Sequence, residues 1–234
     1  PGIAAWAHDE LPALHRARAR VVVSIWGRSV EDYAVAADAL AKHAPAGTAS
    51  DPIVAVEINL SCPNLAGKKM FAHDVGAAAD VITATAGLAY PRWAKLSPNT
   101  DALVAVAEAC AGAGADAVTL TNTLLGLVID TDSRRPALGG GGGGVSGPGL
   151  GPIAVRAVWE VARAMPELPI VGVGGVHDAN SALQLLMAGA SAVQVGTANF
   201  ADPRATIRVL DELASWCDSH GVATIAELIG AAHP

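Results

Sequence analysis

A thiol sits where an apolar run turns polar. In Glu57-Ile58-Asn59-Leu60-Ser61-Cys62-Pro63-Asn64 the residues read as a buried strand up to Leu60, and Cys62 follows, fenced by Ser61, Pro63 and Asn64. A free thiol by default behaves as a small buried hydrophobe. Cys110, inside an Ala-rich stretch, suits that description, and so does Cys217. Cys62 does not: given access to a ligand and a pKa tuned toward working pH, it is a competent proton acceptor. Lys95, one of four lysines, lies inside the apolar run RWAKL. Charges are rarely buried alone, so Lys95 is either half of an ion pair, with Glu57 as partner, or a cation aimed at an electron-rich ring or an anion. Asn59 and Asn122, the latter followed by Thr123, either cap loops or recognise a planar ligand with donors and acceptors together. The glycines of GVGGVHDAN (172–180) and GTANF (196–200) either make tight turns or let backbone N–H groups approach a phosphate. The N-terminus of the helix after GVGG would add positive dipole. Two such sites at adjacent strand ends point to phosphate, a recurrent barrel feature.

These residues need a scaffold that brings strand ends together, and one rhythm along the chain supplies it. Strand-like runs at Arg20–Trp26, Ile53–Leu60, Arg92–Leu96, Ala117–Thr121, Ile170–Gly174 and Ala192–Gly196 alternate with helix-like stretches. The helices are expected at Val30–His43, Asp74–Leu88, Thr100–Gly112, Pro152–Met165, Asp178–Ala188 and Pro203–His220. Alternation of this kind means βαβ units and a parallel sheet covered on both faces. AGAGADAV and MAGASAV each end a helix with Gly and enter a strand at once. In SPNTDA, Asn99 or Thr100 is expected to cap a helix. His73 and His177, each followed by Asp, look like helix starts, and with His220 they form no metal-ligand spacing, so no metal is assigned. The six-glycine run 139–144 reads as a mobile loop inside one domain spanning 1–234.

Bulk composition narrows the class. With 234 residues, 52% hydrophobic and 16% charged, the chain can bury a sizeable core. A net charge of -7 argues against a nucleic-acid backbone as partner. There is no apolar run long enough to span a membrane. Three widely spaced cysteines without a C-x-x-C suggest reduced thiols and a cytoplasmic setting.

In order along the chain, NLSCPN (59–64) with Gly67-Lys68, AKLSPN, TNTLLG (121–126), GGVSGP (143–148), GVGGV and GTA resemble class 1 dihydroorotate dehydrogenases. TNTLLG and SGP lean toward the class 1B form. The resemblance implies a (β/α)8 TIM barrel, here present as about six βα units with the first two missing before Pro1, so that the sequence is a piece of a longer one. It implies FMN as cofactor and oxidation of dihydroorotate to orotate in pyrimidine synthesis. Carried over by position, Cys62 would be the base at C5. Asn59, Asn64, Asn122 and Thr123 would bind substrate. Asn59, Lys95, Thr121, Gly147, Gly174, Gly175, Gly196 and Thr197 would hold FMN, the glycines mostly its phosphate. The expected partners are a second copy in a homodimer and an iron–sulfur FAD subunit that passes electrons to NAD, in a heterotetramer. Ser24 stands where the family carries Asn, and the glycine run is purer than the family pattern. Two other readings share the barrel: a flavin enzyme acting on another dihydropyrimidine, and a non-redox phosphate-binding barrel or inactive remnant.

Overall fold

The computed structural model describes residues 2–46, 52–61 and 70–234. Cys62 and Asn64 therefore lie outside the described residues, as do Gly67 and Lys68. The chain forms two compact units, one of Pro1–Leu96 with Ala105–Val118, the other of Ser97–Val104 with Thr119–Pro234.

The first unit opens with two short helices, α1 (Ile3–Asp9) and α2 (Leu11–Arg16). Neither buries a residue, so neither leaves an apolar stripe in the sequence, and both went unexpected. Strand β1 (Val21–Ile25) follows, then α3 (Val30–His43). Ser29 caps α3 by accepting from Asp32 N, acidic Glu31 and Asp32 fill its first turn, and Lys42 and His43 its last. That charge order complements the helix dipole. Tyr33, Ala37 and Leu40, spaced three to four apart, form its buried stripe. β2 (Ile53–Asn59) pairs in parallel with β1, and β3 (Arg92–Lys95) pairs in parallel with β2. Between them lies α4 (Val75–Ala84), capped by Asp74. α5 (Leu103–Gly112) then leads to β4 (Ala117–Leu120), all four residues of which are buried. Within α5, Cys110 is buried, which pushes its thiol up to about 12 and leaves it inert at neutral pH. The expected cap of α5 is corrected. The helix starts at Leu103, and Thr100 Oγ1 accepts from Ala102 N just before it. Asn99 is engaged elsewhere.

The second unit continues through four short strands: β5 (Leu124–Gly126), β6 (Ile129–Asp130), β7 (Arg135–Pro136) and β8 (Gly143–Val145). β5 pairs with β8 and β6 with β7, both antiparallel. The glycine run is thus not a loose loop. Its last two residues belong to β8, and Leu138 bridges to Gly141. The absence of side chains has a steric reason here: a Cβ on Gly143 would meet Leu138, and one on Gly144 would collide with the Thr123 side chain. After a 3₁₀ turn at Pro148–Leu150 come α6 (Gly151–Ala164), β9 (Ile170–Val173), α7 (Ala179–Met187) and β10 (Ala192–Gln194). β9 and β10 pair in parallel. The short α8 (Ala198–Ala201) and the long α9 (Ala205–His220) follow, and a 3₁₀ turn at Ile225–Leu228 comes last. No helix among the described residues is long and apolar enough to cross a membrane.

The two similar helix-to-strand junctions have one geometry. Gly114 and Gly189 both take positive φ, 94° and 117°. In each case the glycine N–H and the next N–H reach back to the last turn: Gly114 to Ala111 O and Ala115 to Cys110 O, Gly189 to Leu186 O and Ala190 to Leu185 O. This doubly bonded left-handed stop satisfies carbonyls that a helix end would leave unpaired. The chain then enters its ladder immediately, with Asp116 N bonded to Arg92 O and Ser191 N to Ile170 O.

Arg92, the first residue of β3, completes the same accounting. Its guanidinium donates to Ile82 O at 2.7 Å and to Gly114 O, so one side chain serves the ends of α4 and α5. A charged donor at carbonyl ends also suits the negative pole of each helix. Replacing Arg92 with Ala is expected to lower stability by about 2 kcal/mol, the scale of hydrogen bonds to a charged group. Urea denaturation would show this as a lower midpoint with an unchanged slope.

Candidate active site

In the first unit the expected residues gather at the carboxyl ends of β2 and β3. Asn59 ends β2 directly opposite Lys95, which ends β3. Tyr33, fully buried on α3, donates its hydroxyl to Asn59 O at 2.6 Å and so pins the strand exit. The Phe71 ring packs edge-on against Tyr33, at 5.6 Å between centroids. Ser61, also buried, donates to Asn59 Oδ1 at 3.1 Å and lies 3.3 Å from Lys95 O. The Asn59 amide is therefore oriented by the chain just ahead of Cys62.

Lys95 has the ion-pair partner that the sequence suggests. Its Nζ stands 3.5 Å from Glu57 Oε1, with the lysine side chain 21% exposed and the glutamate 6%. The same carboxylate oxygen accepts from Ser24 Oγ at 3.1 Å. Glu57 Oε2 is buried with no hydrogen-bond partner among the described residues. A charge pair with one oxygen unpaired is costly to bury, and the partial exposure of the Lys95 side chain lowers that cost. Ser24, which stands where the family pattern carries Asn, spends its hydroxyl on Glu57.

In the second unit the segment after β4 is held on both sides. Thr121 N donates to Val173 O at 2.6 Å, which fixes the chain beside β9. Thr121 Oγ1 is buried with no hydrogen-bond partner among the described residues. The Asn122 side-chain oxygen accepts from Thr123 N at 2.8 Å, and the Thr123 side chain fills the space over Gly144. On the other flank Asn99 Nδ2 donates to Thr123 O at 3.0 Å while its Oδ1 accepts from Leu125 N at 2.8 Å. The sequence offers no signal for this contact, because Asn after Ser-Pro ahead of a helix reads as a local cap.

The glycine sites form a cradle of main chain. Gly147, Gly174 and Gly175 all take positive φ, 84°, 132° and 78°. A Cβ on Gly174 would meet Ala154 Cβ at 2.8 Å, and one on Gly175 would meet Gly151 N and Cα at 2.6 Å. The turn at 174–175 therefore lies directly on the start of α6, backbone against backbone. His177 Nδ1 binds Gly175 O at 2.7 Å and steadies it. The start of α7, expected to lend its dipole to an anion, has two of its N–H groups engaged within the protein. Asp178 accepts from Ser181 N, and Glu212 from Ala179 N at 2.9 Å, so two carboxylates already occupy that helix start. These N–H bonds, more than any nearby cation, hold both carboxyls below their ordinary values. Gly196 and Thr197 are exposed at the end of β10, where a Cβ on Gly196 would meet nothing. Within the second unit, the side-chain-free backbone turn at Gly174 and Gly175 is compatible with a phosphate group; within the first unit, the partly exposed Lys95 is a cation compatible with an electron-rich ring.

Comparison with known proteins identifies the scaffold. A family model described as dihydroorotate dehydrogenase matches residues 1–216. The chain belongs to the dihydroorotate dehydrogenase family. A relative from Geobacter sp. (strain M21), named dihydroorotate dehydrogenase B (NAD(+)), catalytic subunit, is 41% identical over 98% of this chain and 73% of its own length. One of the same name from Desulforudis audaxviator (strain MP104C) is 44% identical over 100% of this chain and 74% of its own. Among solved structures, a DHODH of Eimeria tenella in complex with ferulenol superposes with a TM-score of 0.70 at 22% identity. It is covered over 58% of its length, by 87% of this chain. That likeness bears on the fold, an α/β TIM barrel of which this chain holds a part.

Membership of the dihydroorotate dehydrogenase family implies a flavin. At Gly175 the close approach of Gly151 leaves no room for a side chain. Replacing Gly175 with Ala is expected to cost about 1–3 kcal/mol of stability, because both the left-handed backbone and the contact with Gly151 resist a methyl group. Guanidinium denaturation of this variant beside Gly196→Ala, where space is open, would separate the steric effect from a general one.

Proposed function

We propose that this chain oxidises dihydroorotate to orotate in de novo pyrimidine synthesis, with FMN as its flavin. The reading rests above all on relatives of that name at 41% and 44% identity along nearly the whole chain. Cys62 serves as the base that takes the proton from C5 of the substrate. Asn59, Asn64, Asn122 and Thr123 bind and orient the pyrimidine through amide and hydroxyl groups that can donate and accept. Asn59 and Lys95 also contact the flavin ring, with Thr121 alongside. Gly147, Gly174, Gly175, Gly196 and Thr197 hold its phosphate. When bound, the flavin supplies the acceptor for hydride leaving C6. Supporting these roles are the orientation of the Asn59 amide by Ser61, the Glu57-paired Lys95, and the close backbone packing at Gly175.

We also infer a homodimer, a separate iron–sulfur FAD subunit that passes electrons to NAD, a cytoplasmic setting and one barrel domain through 1–234. The relatives' designation as catalytic subunits supports the second partner. Exposed Leu125, Leu127, Val128, Ile129, Leu138 and Val145 on the antiparallel ribbons support coverage by protein.

Anaerobic spectra of the full-length protein test the substrate. The flavin band is expected to bleach with dihydroorotate and to persist with dihydrouracil. Bleaching by dihydrouracil alone would move the chain to the sister activity, and a colourless protein would leave only a phosphate-binding barrel. The base is tested separately. Cys62→Ser is expected to retain flavin and lose turnover about 10²–10⁴-fold at pH 7. Unchanged steady-state turnover in that variant would remove Cys62 from the role.

A further inference from the structure

We infer that Asn99 is a positioning residue for substrate binding, acting through the main chain of Thr123–Leu125. The inference rests on the proposed roles of Asn122 and Thr123. Asn99 Nδ2 donates to Thr123 O at 3.0 Å, and Asn99 Oδ1 accepts from Leu125 N at 2.8 Å. A carbonyl on one residue and an N–H two residues later are the pair that a neighbouring parallel strand binds with one residue's own N–H and C=O. The Asn99 amide thus stands in for a strand where the regular ladder has ended. Its orientation is settled by the network. Turned over, it would set two donors and two acceptors face to face. Ser97 Oγ lies 2.9 Å from Nδ2 and 3.2 Å from Asn99 N, which holds the side chain in place. Ser97 is itself buried.

The far side of the same segment is also fixed. Thr123 closes over Gly144, and Asn122 Oδ1 is bonded to Thr123 N. Beyond the β5–β8 ladder and the Thr121 N–Val173 O bond, Asn99 supports the segment on its other flank, and both of its hydrogen bonds there go to backbone atoms. Removing it lets the Thr123 and Leu125 peptides rotate. That would misplace the Asn122 amide and the Thr123 hydroxyl without deleting either. A small misplacement of a binding group can cost up to about a hundredfold.

Two substitutions test this in the full-length, flavin-loaded protein, with orotate binding read by titration calorimetry and flavin content by absorbance. Asn99→Ala is expected to weaken orotate about 10- to 100-fold and to raise KM for dihydroorotate more than it lowers kcat, with flavin content unchanged. Asn99→Asp has the same shape but loses its donor when ionised. Facing Thr123 O, the introduced carboxyl favours its protonated form, which restores one donor and one acceptor. Orotate binding by Asn99→Asp is therefore expected to be weak at pH 8 and to recover toward wild type at pH 5, a response that wild type lacks. If Asn99→Ala does not fold, this pH response decides alone. Wild-type affinity in both variants at pH 8, or a deficit in Asn99→Asp that ignores pH, would overturn the inference. A wild-type protein that holds flavin but binds no orotate would overturn the roles of Asn122 and Thr123 first, and this one with them.

Discussion

Parallel pairing is the constraint from which the rest follows. Parallel strands cannot be joined by a tight turn, so each must be followed by a crossover that returns the chain to the starting edge. Here those crossovers are α3 after β1, α4 after β2, α5 after β3 and α7 after β9. Within each unit the parallel strands therefore exit at the same edge. Asn59 and Lys95 meet side by side because their strands run in register, and the Thr121 peptide lies against Val173 for the same reason. Groups distant in sequence become neighbours without any local signal that they will.

The same arrangement creates a debt of unpaired main-chain groups at every helix end. The chain settles it in three ways: acidic or hydroxyl caps at helix starts, left-handed glycine stops at Gly114 and Gly189, and the guanidinium of Arg92. The start of α7 shows how this bookkeeping bears on function. Two of its first N–H groups, those of Ala179 and Ser181, are used by Glu212 and Asp178 and are not open to an anion near Gly174 and Gly175. Steric emptiness, not helix charge, is what the glycines contribute.

Charge in the first unit is handled differently. Glu57 and Lys95 are drawn together by neighbouring strands, and the carboxylate is shared with Ser24. A lysine held this way is fixed in position while it stays partly exposed. Pairing with one carboxylate oxygen uses only part of what the ammonium group, with three donors, can offer.

Much of this was legible in the residues. The alternation of β-branched runs and Ala-rich stretches located β1, β2, β3, β4, β9 and β10 and the helices α3 to α7 and α9, because burial on both faces and the helical period leave direct traces. The motifs around Asn59, Asn122 and the glycines picked out residues that do lie at strand ends, because strand ends can carry polar groups that a core would reject; Cys62 lies outside the described residues. What the sequence could not show is where a side chain spends its hydrogen bonds across space. Asn99 reads as a cap and serves a distant peptide. The glycine run reads as slack, yet its last two residues are packed in a ribbon under Leu138 and Thr123. The α7 start reads as a free dipole and is filled by Glu212 from α9. In each case local propensity was right about the type of residue. The partner was chosen by tertiary packing, since pairing energies depend on contacts between elements that no short window contains.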